Sequence, residues 1–361
     1  MFICDAGNLA ELGKPKLTRT ERRHQNMKSP NSEIISVENL VEIYPDGTKA
    51  LDGITFKVEE GEFFGFLGPN GAGKSTAIKV LTTLLKKTSG RATVAGYDLD
   101  RSPKEIRKII GVLTQETIVD VDLTGRENLR LQGRLEQMHG DALENRVDEL
   151  LKMVQLEEFA NKEAGRYSGG MKKRLDLASA LIHKPRLLFL DEPTTGLDPQ
   201  SRASIWDYLE QLNKEEGITI FLTTQYLEEA DRLCRQLCII DHGKIVTSGS
   251  PAELKQAIGH DIITLTLRNP KDAALRSETK RVLQDIKGVA DVTESDGGIV
   301  VHAKNGDQII ADVVAALDRN NLRAASLNMS SPTLDDVFLH YTGRRIRPEE
   351  LGRKTTEAFL M

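Results

Sequence analysis

Cysteine is scarce in this chain, and long apolar runs are missing from it. The three cysteines among 361 residues, Cys4, Cys234 and Cys238, form no CxxC pair and suit a reducing compartment. No segment approaches the 18 or so consecutive apolar residues that a membrane-spanning helix needs. The first residues carry acids and a proline where a secretion signal requires an unbroken apolar core. We therefore expect no signal peptide and no membrane span in this chain.

A strong charge of one sign is also missing. The formal net charge of −5 gives no general attraction to nucleic acid, so we expect no nucleic-acid partner. A hydrophobic content of 39% is ordinary for a soluble globular protein, and the length allows two domains with a sizeable core. Cys234 and Cys238 lie four residues apart in an apolar-periodic segment, where core packing is a better explanation than metal binding.

The most informative stretch is a glycine-rich loop that follows the apolar run Glu62 to Leu67 and precedes a helical pattern. We predict that this helix runs from Lys74 to about Lys87 and that a strand follows over Ala92 to Tyr97. The spacing of the loop is that of a phosphate-binding loop, in which backbone N–H groups and a helix N-terminus converge on phosphate oxygens. In such a loop Lys74 reaches the β- and γ-phosphates and Ser75 offers a hydroxyl to Mg²⁺. The candidate ATP-binding residues are Gly68, Pro69, Asn70, Gly71, Ala72, Gly73, Lys74, Ser75 and Thr76.

Two adjacent carboxylates end a second apolar strand, Leu187 to Leu190. Asp191 stands where a strand-end acid reaches Mg²⁺, and Glu192 can polarise an attacking water as a general base. Gln115 also follows a predicted strand directly, where its amide can touch Mg²⁺ and a water without adding charge. Tyr44, in the turn between two predicted strands, either stacks on adenine or packs its own hairpin.

A second glycine pair opens another helix, predicted to run to about His183. Ser168, Gly169 and Gly170 at its start form another potential anion site. One nucleotide cannot easily use two such loops of one chain. A dimer that supplies the second loop in trans is therefore the economical explanation.

These motifs occur in a fixed order: the phosphate loop, Gln115, YSGGM, LLFLDEP and GLDP. In that order, residues 34 to about 255 resemble the nucleotide-binding subunit of an ABC transporter. The resemblance implies adenine on Tyr44, phosphates on the loop, and Mg²⁺ held by Ser75, Gln115 and Asp191. It also implies Glu192 as the base, and Ser168 to Gly170 with Asp198 acting across a head-to-tail dimer.

Two departures from the family pattern affect the expected chemistry. The signature has Tyr167 for the usual leucine and Met171 for the usual glutamine, so one polar contact is lost. Gln225 stands where most relatives carry a histidine that contacts the γ-phosphate. Glutamine can donate a similar hydrogen bond but cannot become cationic. We expect slower hydrolysis that persists through Glu192. The segments TTQYLEEAD and PTLDDVFLHYTG are similar to those of the daunorubicin-resistance type of drug-export ATPase.

The domain pattern follows from periodicity. A disordered extension is expected over 1–30, with Met27 as a candidate translation start, followed by an α/β P-loop NTPase of the ABC type over 31–255. A helical insertion occupies about 116–185. The order βαββαβ predicts a ferredoxin-like domain for regulation or dimer contact, with a closing helix, over 256–343. The apolar stripe of that helix serves either core packing or docking on a partner. Residues 344–361 are predicted to form a solvated tail.

The predicted function is ATP hydrolysis that energises efflux of a drug-like or hydrophobic compound. The partners implied are a separately encoded membrane permease and a second copy of this chain, at the cytoplasmic face of the cell membrane. One alternative is a soluble ABC ATPase that acts on ribosomes or DNA, although such proteins usually carry two nucleotide-binding halves. Another is an exporter of polysaccharide or lipid, since the absent subunit largely selects the substrate.

Overall fold

The computed structural model describes residues 33–259, 261–267, 273–295, 298–304 and 306–342. The predicted extension over 1–30, with Met27, and the tail over 344–361 lie outside these ranges. Within them, the strands are β1 (Glu33–Ile43), β2 (Lys49–Glu59), β3 (Phe63–Leu67), β4 (Ser89–Val94), β5 (Tyr97–Asp98), β6 (Ile110–Leu113), β7 (Leu187–Asp191), β8 (Thr219–Thr224), β9 (Gln236–Asp241), β10 (Lys244–Gly249), β11 (Asp261–Leu267), β12 (Val289–Ser295), β13 (Gly298–Ala303) and β14 (Ala324–Ser330). The α-helices are α1 (Lys74–Leu81), α2 (Pro103–Arg107), α3 (Gly125–Leu135), α4 (Gly140–Met153), α5 (Gly169–Ala180), α6 (Pro199–Glu216), α7 (Leu227–Leu233), α8 (Pro251–Ile258), α9 (Ala273–Gln284), α10 (Gly306–Arg319) and α11 (Leu334–Thr342).

Two sheets form the framework of the first 250 residues. Strands β2-β1-β4-β5 make an antiparallel sheet. Strands β10-β9-β3-β8-β7-β6 make a larger sheet, in which β9, β3, β8, β7 and β6 run parallel and β10 pairs antiparallel with β9. The larger sheet brings the carboxyl ends of β3, β7 and β8 to one edge, where open α/β sheets bind ligands. The predicted α/β fold with a P-loop is confirmed.

A cluster of aromatic rings joins the two sheets. Phe56 of the antiparallel sheet meets Phe64, Phe66 and Phe221 of the parallel sheet, with ring centroids 5.4–6.0 Å apart. All these rings are buried, and α1 packs into the same cluster. Phenylalanine at alternate positions of a buried strand therefore fixes the strand beneath the phosphate loop against its neighbours.

Residues 125–160 are helical, as the periodicity predicts. Helices α3 and α4 pack with α5 in the cluster that includes Leu129, Leu143 and Val147. None of the described helices combines the length and the apolar content needed to cross a membrane.

Two local expectations were wrong in detail. The helix predicted from Lys74 to about Lys87 ends at Leu81, because the Thr82 hydroxyl bonds the Ile78 carbonyl at 2.8 Å and Thr83 takes a positive φ of 63°. The strand predicted from Ala92 to Tyr97 is instead a hairpin of β4 and β5. Positive φ values at Ala95 and Gly96, 48° and 81°, turn the chain there.

The C-terminal sheet has the order β12-β13-β11-β14, and every pair in it is antiparallel. With α9 and α10 between the strands, this is the predicted βαββαβ arrangement. Its core is a separate cluster that contains Ile263, Leu265, Val301 and Val313.

The closing helix α11 does not join that C-terminal core. Leu334, Val337 and Phe338 are buried in the cluster of the nucleotide-binding part, which also contains Leu254 of α8. The apolar stripe of α11 thus serves core packing within the chain. The predicted boundary at residue 255 falls inside α8.

Candidate active site

The phosphate loop lies between β3 and α1, and glycine is required within it. Gly73 has a φ of 110°, and a Cβ there would meet the Ala50 carbonyl oxygen. A Cβ on Gly68 would likewise meet the Ile240 carbonyl oxygen of β9. The Gly243 N–H donates to the Ala72 carbonyl at 3.0 Å, so the β9–β10 hairpin supports the loop from outside.

Lys74 is buried at the centre of this loop. Its Nζ donates to the carbonyls of Gly68 at 2.8 Å and Pro69 at 3.1 Å, and it lies 3.0 Å from Glu192 Oε1. The two side chains of this ion pair are only 4% and 8% exposed. The ammonium is therefore satisfied by the loop and by the predicted base.

Asp191 is held in place by two hydroxyls. Thr223 of β8 donates to its Oδ1 at 2.6 Å, and Ser75 of α1 donates to the same oxygen at 3.2 Å. The residues predicted to bind Mg²⁺ from the loop and from β7 are thus within hydrogen-bond distance. Thr223 was not predicted, because pairing between β7 and β8 decides its position.

Glu192 has an unusual backbone conformation. Its φ is 49°, which costs a non-glycine residue free energy unless the surroundings enforce it. Its N–H donates to the Thr223 carbonyl at 3.0 Å, and Thr195 Oγ1 donates to its Oε2 at 3.3 Å. The turn aims the carboxylate at the phosphate loop.

Lys74, Ser75 and Glu192 line a cleft of about 690 Å³, whereas Asp191 does not line it and contacts it through Ser75. Predicted residues that line it are Tyr44, Asn70, Gly71, Gly73, Lys74, Ser75, Thr76, Gln115 and Glu192. The Tyr44 hydroxyl lies 3.1 Å from Thr76 Oγ1, which fixes the ring at one wall. Residues that sequence reasoning missed are Thr48, Lys49, Ala50, His242 and Gly243. The last two lie there because β9 pairs in parallel with β3 and brings the turn that follows β9 to the loop, a pairing that the sequence does not show.

The residues predicted to act in trans lie elsewhere. Ser168 and Gly170 line a second cavity, of about 230 Å³, together with Gln200 and Ser201 of α6. Asp198 caps α6, accepting from the N–H groups of Gln200 and Ser201. These bonds and the Ser201 hydroxyl lower the pKa of Asp198.

Gln225 occupies the bend directly after β8 and is half-buried. It lines neither of these two cavities. The described structure therefore brings Glu192 and Lys74 together but does not add Gln225 to them.

Cys234 and Cys238 are buried, as core packing predicts. Burial raises the pKa of Cys238 to about 12, so its thiol stays protonated at neutral pH. Among the described residues, no group of three or more His, Cys, Asp or Glu side chains is placed to hold a metal ion.

Glu229 of α7 is a buried acid that sequence reasoning missed. Its Oε1 accepts from the Thr194 hydroxyl at 2.9 Å and from the Trp206 indole at 2.8 Å. Thr194 follows Glu192 in the loop toward Asp198, so this carboxyl joins that loop to α6 and α7.

Burial raises the pKa of Glu229 above 4.5, and this predicts a pH effect on stability. A raised pKa in the fold contributes stability below the unfolded pKa, and that contribution is lost as the pH rises through the folded pKa. Glu229→Gln cannot ionise, so its melting temperature should fall less than that of the natural protein between about pH 5 and 8. Thermal melts without nucleotide test this, with the exposed neighbour variant Glu228→Gln as control. Parallel curves for Glu229→Gln and the natural protein would contradict it.

The site combines a P-loop at the carboxyl edge of a parallel sheet, an acidic strand end, and a serine–glycine helix start that lines a separate cavity. Together these features define a nucleotide-binding cassette of the P-loop NTPase class. The matches to known proteins are specific. Residues 51–195 match the ABC transporter family, and residues 249–342 match the C-terminal domain of DrrA1-3-like ATP-binding proteins. The chain belongs to the ABC transporter ATP-binding proteins of the daunorubicin-resistance type and is an ATPase.

Individual relatives cover most of the chain. The daunorubicin resistance ATP-binding protein DrrA2 of Streptomyces coeruleorubidus is 43% identical over 84% of this chain and 93% of its own. The linearmycin resistance ATP-binding protein LnrL of Bacillus subtilis is 37% identical over 87% of this chain and 100% of its own.

Solved structures agree with this placement. The structure of cbiO1 from Clostridium perfringens, a part of the ABC transporter complex cbiONQ, is similar with a TM-score of 0.58 and 32% identity, covering 63% of this chain and 94% of that one. A dimeric ATP-binding cassette in a post-hydrolysis state, bound to ADP and Pi, is similar with a TM-score of 0.55 and 28% identity, covering 60% of this chain and 98% of that one.

Proposed function

We propose that this chain hydrolyses Mg²⁺-bound ATP as a head-to-tail homodimer and thereby energises export of a drug-like or hydrophobic compound through a separate membrane permease. The observation that carries the proposal is that Lys74, Ser75 and Glu192 line one cleft at the carboxyl ends of parallel strands, with Asp191 bonded to Ser75 beside it. Such a site combines phosphate binding, metal binding and a base.

The donor set fits a magnesium ion. Ser75 Oγ and Asp191 Oδ1 lie 3.2 Å apart, and Gln115 lines the cleft together with Ser75. Hydroxyl, carboxylate and amide oxygens are the ligands that Mg²⁺ takes beside phosphates and water. When bound, the ion supplies positive charge to the phosphate oxygens. Tyr44 offers the adenine its ring at the wall of the cleft.

Glu192 acts as the base, and Lys74 controls when it is available. The phosphates of ATP compete with Glu192 for the Lys74 ammonium, because they carry more negative charge than one carboxylate. Once Lys74 turns to the phosphates, the Glu192 carboxylate loses its 3.0 Å partner and is free to accept a proton from water. Gln225 does not line the cleft, so its neutral hydrogen bond to the γ-phosphate requires the bend after β8 to move when ATP binds.

The dimer follows from the separation of the two half-sites. Ser168 and Gly170 line a cavity that shares none of its lining residues with the Lys74 cleft. A second copy completes each cleft by presenting Ser168, Gly169, Gly170 and Asp198 to the bound ATP. A relative in the ADP- and Pi-bound state is dimeric, which supports this arrangement.

Exposed apolar side chains on the helical part support a permease partner. Leu131 and Leu135 lie one turn apart on α3 and are 47% and 68% exposed. Ile118 and Val121 are 59% and 46% exposed in the segment after Gln115. The Asp120 N–H of this segment donates to Asn128 Oδ1 of α3. Large exposed apolar groups of this kind mark interaction surfaces. We assign this surface to the permease, at the cytoplasmic face of the cell membrane.

The names of relatives favour export as the direction of transport. They include proteins of daunorubicin, linearmycin and doxorubicin resistance, and a Nod factor export ATP-binding protein. Because the compounds in these names differ while the ATP-binding proteins are similar, we infer that the permease selects the substrate. The C-terminal sheet serves regulation or contact between the two copies.

Affinity purification of the tagged chain from gently solubilised native membranes tests the permease. We expect a polytopic membrane protein in near-equal amount by mass spectrometry. Leu131→Glu with Leu135→Glu should remove it, whereas Val314→Glu, at a residue 53% exposed on α10, should not. Recovery only from the soluble fraction with ribosomal or DNA-repair partners would overturn the exporter assignment.

A further inference from the structure

Helix α5 carries two buried charged side chains that the catalytic residues above do not include. Lys173 is 8% exposed and Asp176 is 3% exposed. They lie three residues apart, which places them on one face of the helix. Charged groups are seldom buried without a specific partner, so their partners show what they do.

Both side chains bind the main chain around Gln115. Lys173 Nζ donates to the Thr114 carbonyl at 2.9 Å and to the Gln115 carbonyl at 3.4 Å. Asp176 Oδ1 accepts from the Ile118 N–H at 3.1 Å. The segment from Thr114 to Ile118 is exposed and has no regular secondary structure, so these charge-assisted bonds fix its path on both sides of Gln115.

Burial disfavours the charged form of both side chains, so the arrangement depends on their hydrogen bonds. Burial raises the pKa of Asp176 and lowers that of Lys173. Among the residues that the structure describes, Asp176 Oδ2 has no hydrogen-bond partner. A small shift of α5 against the segment after β6 would therefore lengthen the bonds from Lys173 and to Asp176 that fix the path of that segment.

The same helix begins with the motif that faces the other nucleotide. Ser168 caps α5 by accepting from the Met171 N–H, and Gly169 is its first residue. Lys173 lies little more than one turn further along. Helix α5 therefore contacts the main chain at Gln115 in its own cleft. The same helix begins with the serine–glycine motif that a dimer presents to the partner's ATP.

We propose that Lys173 and Asp176 are positioning residues that hold Gln115 at its own nucleotide and tie it to Ser168–Gly170, linking the two ATP sites of the dimer. This inference rests on the proposed function for the roles of Gln115 and the motif. It adds the residues through which one site acts on the other.

A double-mutant cycle on Mg²⁺-dependent ATP turnover tests the positioning. We expect Lys173→Met and Gln115→Ala each to lower the rate about tenfold and to weaken the apparent affinity for Mg²⁺, with ATP binding in EDTA unchanged. The combined variant should be no slower than Gln115→Ala alone. Lys172→Met, on the adjacent half-buried lysine, is the control and should behave as the natural protein. Multiplicative losses in the combined variant would overturn the proposal.

Asp176 provides the second pair of variants. Asp176→Asn keeps an oxygen for the Ile118 N–H and should retain most turnover, whereas Asp176→Ala should lose about tenfold. Equal losses in both would show that charge or folding, and not the bond to Ile118, matters. Circular dichroism and melting curves establish that each variant is folded.

Hydrogen exchange separates this proposal from the proposed function, because it needs no turnover. Amide protection at residues 114–118 should fall in Lys173→Met and Asp176→Ala and stay unchanged in Lys172→Met. Unchanged protection in all three variants would overturn the positioning role even in an active ATPase. Protection that falls in Lys173→Met and Asp176→Ala, when the natural protein itself does not hydrolyse ATP, would retain the positioning role and overturn the proposed function instead.

Discussion

Replacing Glu192 by glutamine is expected to lower ATP turnover by about 10²–10⁴-fold while ATP binding is retained. Glutamine keeps the shape of the side chain and one oxygen for Lys74, and its amide nitrogen can donate to the Thr195 hydroxyl, but it cannot accept a proton from water. The backbone bond from the Glu192 N–H to the Thr223 carbonyl, at 3.0 Å, is unaffected by the change. The cleft should therefore keep its geometry and lose only the base.

Phosphate release and a fluorescent ATP analogue measure the two properties separately, and size-exclusion chromatography with ATP reports the dimer. We expect Glu192→Gln to accumulate as the ATP-bound dimer, since hydrolysis no longer opens it. Glu215→Gln, at an exposed acid of α6, controls for the loss of one carboxylate. Turnover at the natural rate in Glu192→Gln would show that another group is the base.

Replacing Lys74 by alanine should abolish ATP binding and, for a separate reason, reduce stability. The ammonium that meets the phosphates is gone, and the Gly68 and Pro69 carbonyls lose their donor. Glu192 is then left as a buried carboxylate without its partner, and breaking a buried pair on one side costs about 3–5 kcal/mol. Access of water through the cleft reduces this figure.

The double variant Lys74→Ala with Glu192→Gln separates the two effects. Removing the orphaned charge should restore part of the lost melting temperature, while ATP binding stays absent. Lys79→Ala, at an exposed lysine of the same helix, should bind ATP and melt as the natural protein does. Normal ATPase kinetics in Lys74→Ala would remove the phosphate loop from the mechanism.

Much of this molecule could be predicted from sequence because its information is local. The glycine spacing from Gly68 to Gly73 encodes the turn and the approach of backbone to ligand, and alternating or continuous apolar runs encode the strands. The order βαββαβ was likewise visible as a series of periodicities. The hairpin at Ala95 and Gly96 was also encoded locally, by residues that turn with positive φ, and was missed.

The groups that could not be predicted are those placed by pairing between distant segments. Thr223 reaches Asp191 because β8 lies beside β7, and His242 reaches the cleft because β9 lies beside β3. Glu229 and Lys173 resemble ordinary helix-surface charges in sequence. Only the packing of α7 and α5 shows that they are buried and which backbone or side-chain groups they bind.

The return of α11 to the core shared with α8 makes the C-terminal sheet an inserted module with two attachments. Both the helix that enters it and the helix that leaves it are anchored by buried leucines, Leu254 and Leu334. A domain hung from one linker can swing freely, whereas one fixed at both ends transmits displacement between its anchors. Truncation of the chain after residue 255 would remove α11 and expose apolar surface on the nucleotide-binding part. The nucleotide-binding part therefore depends on the segment that follows the C-terminal sheet.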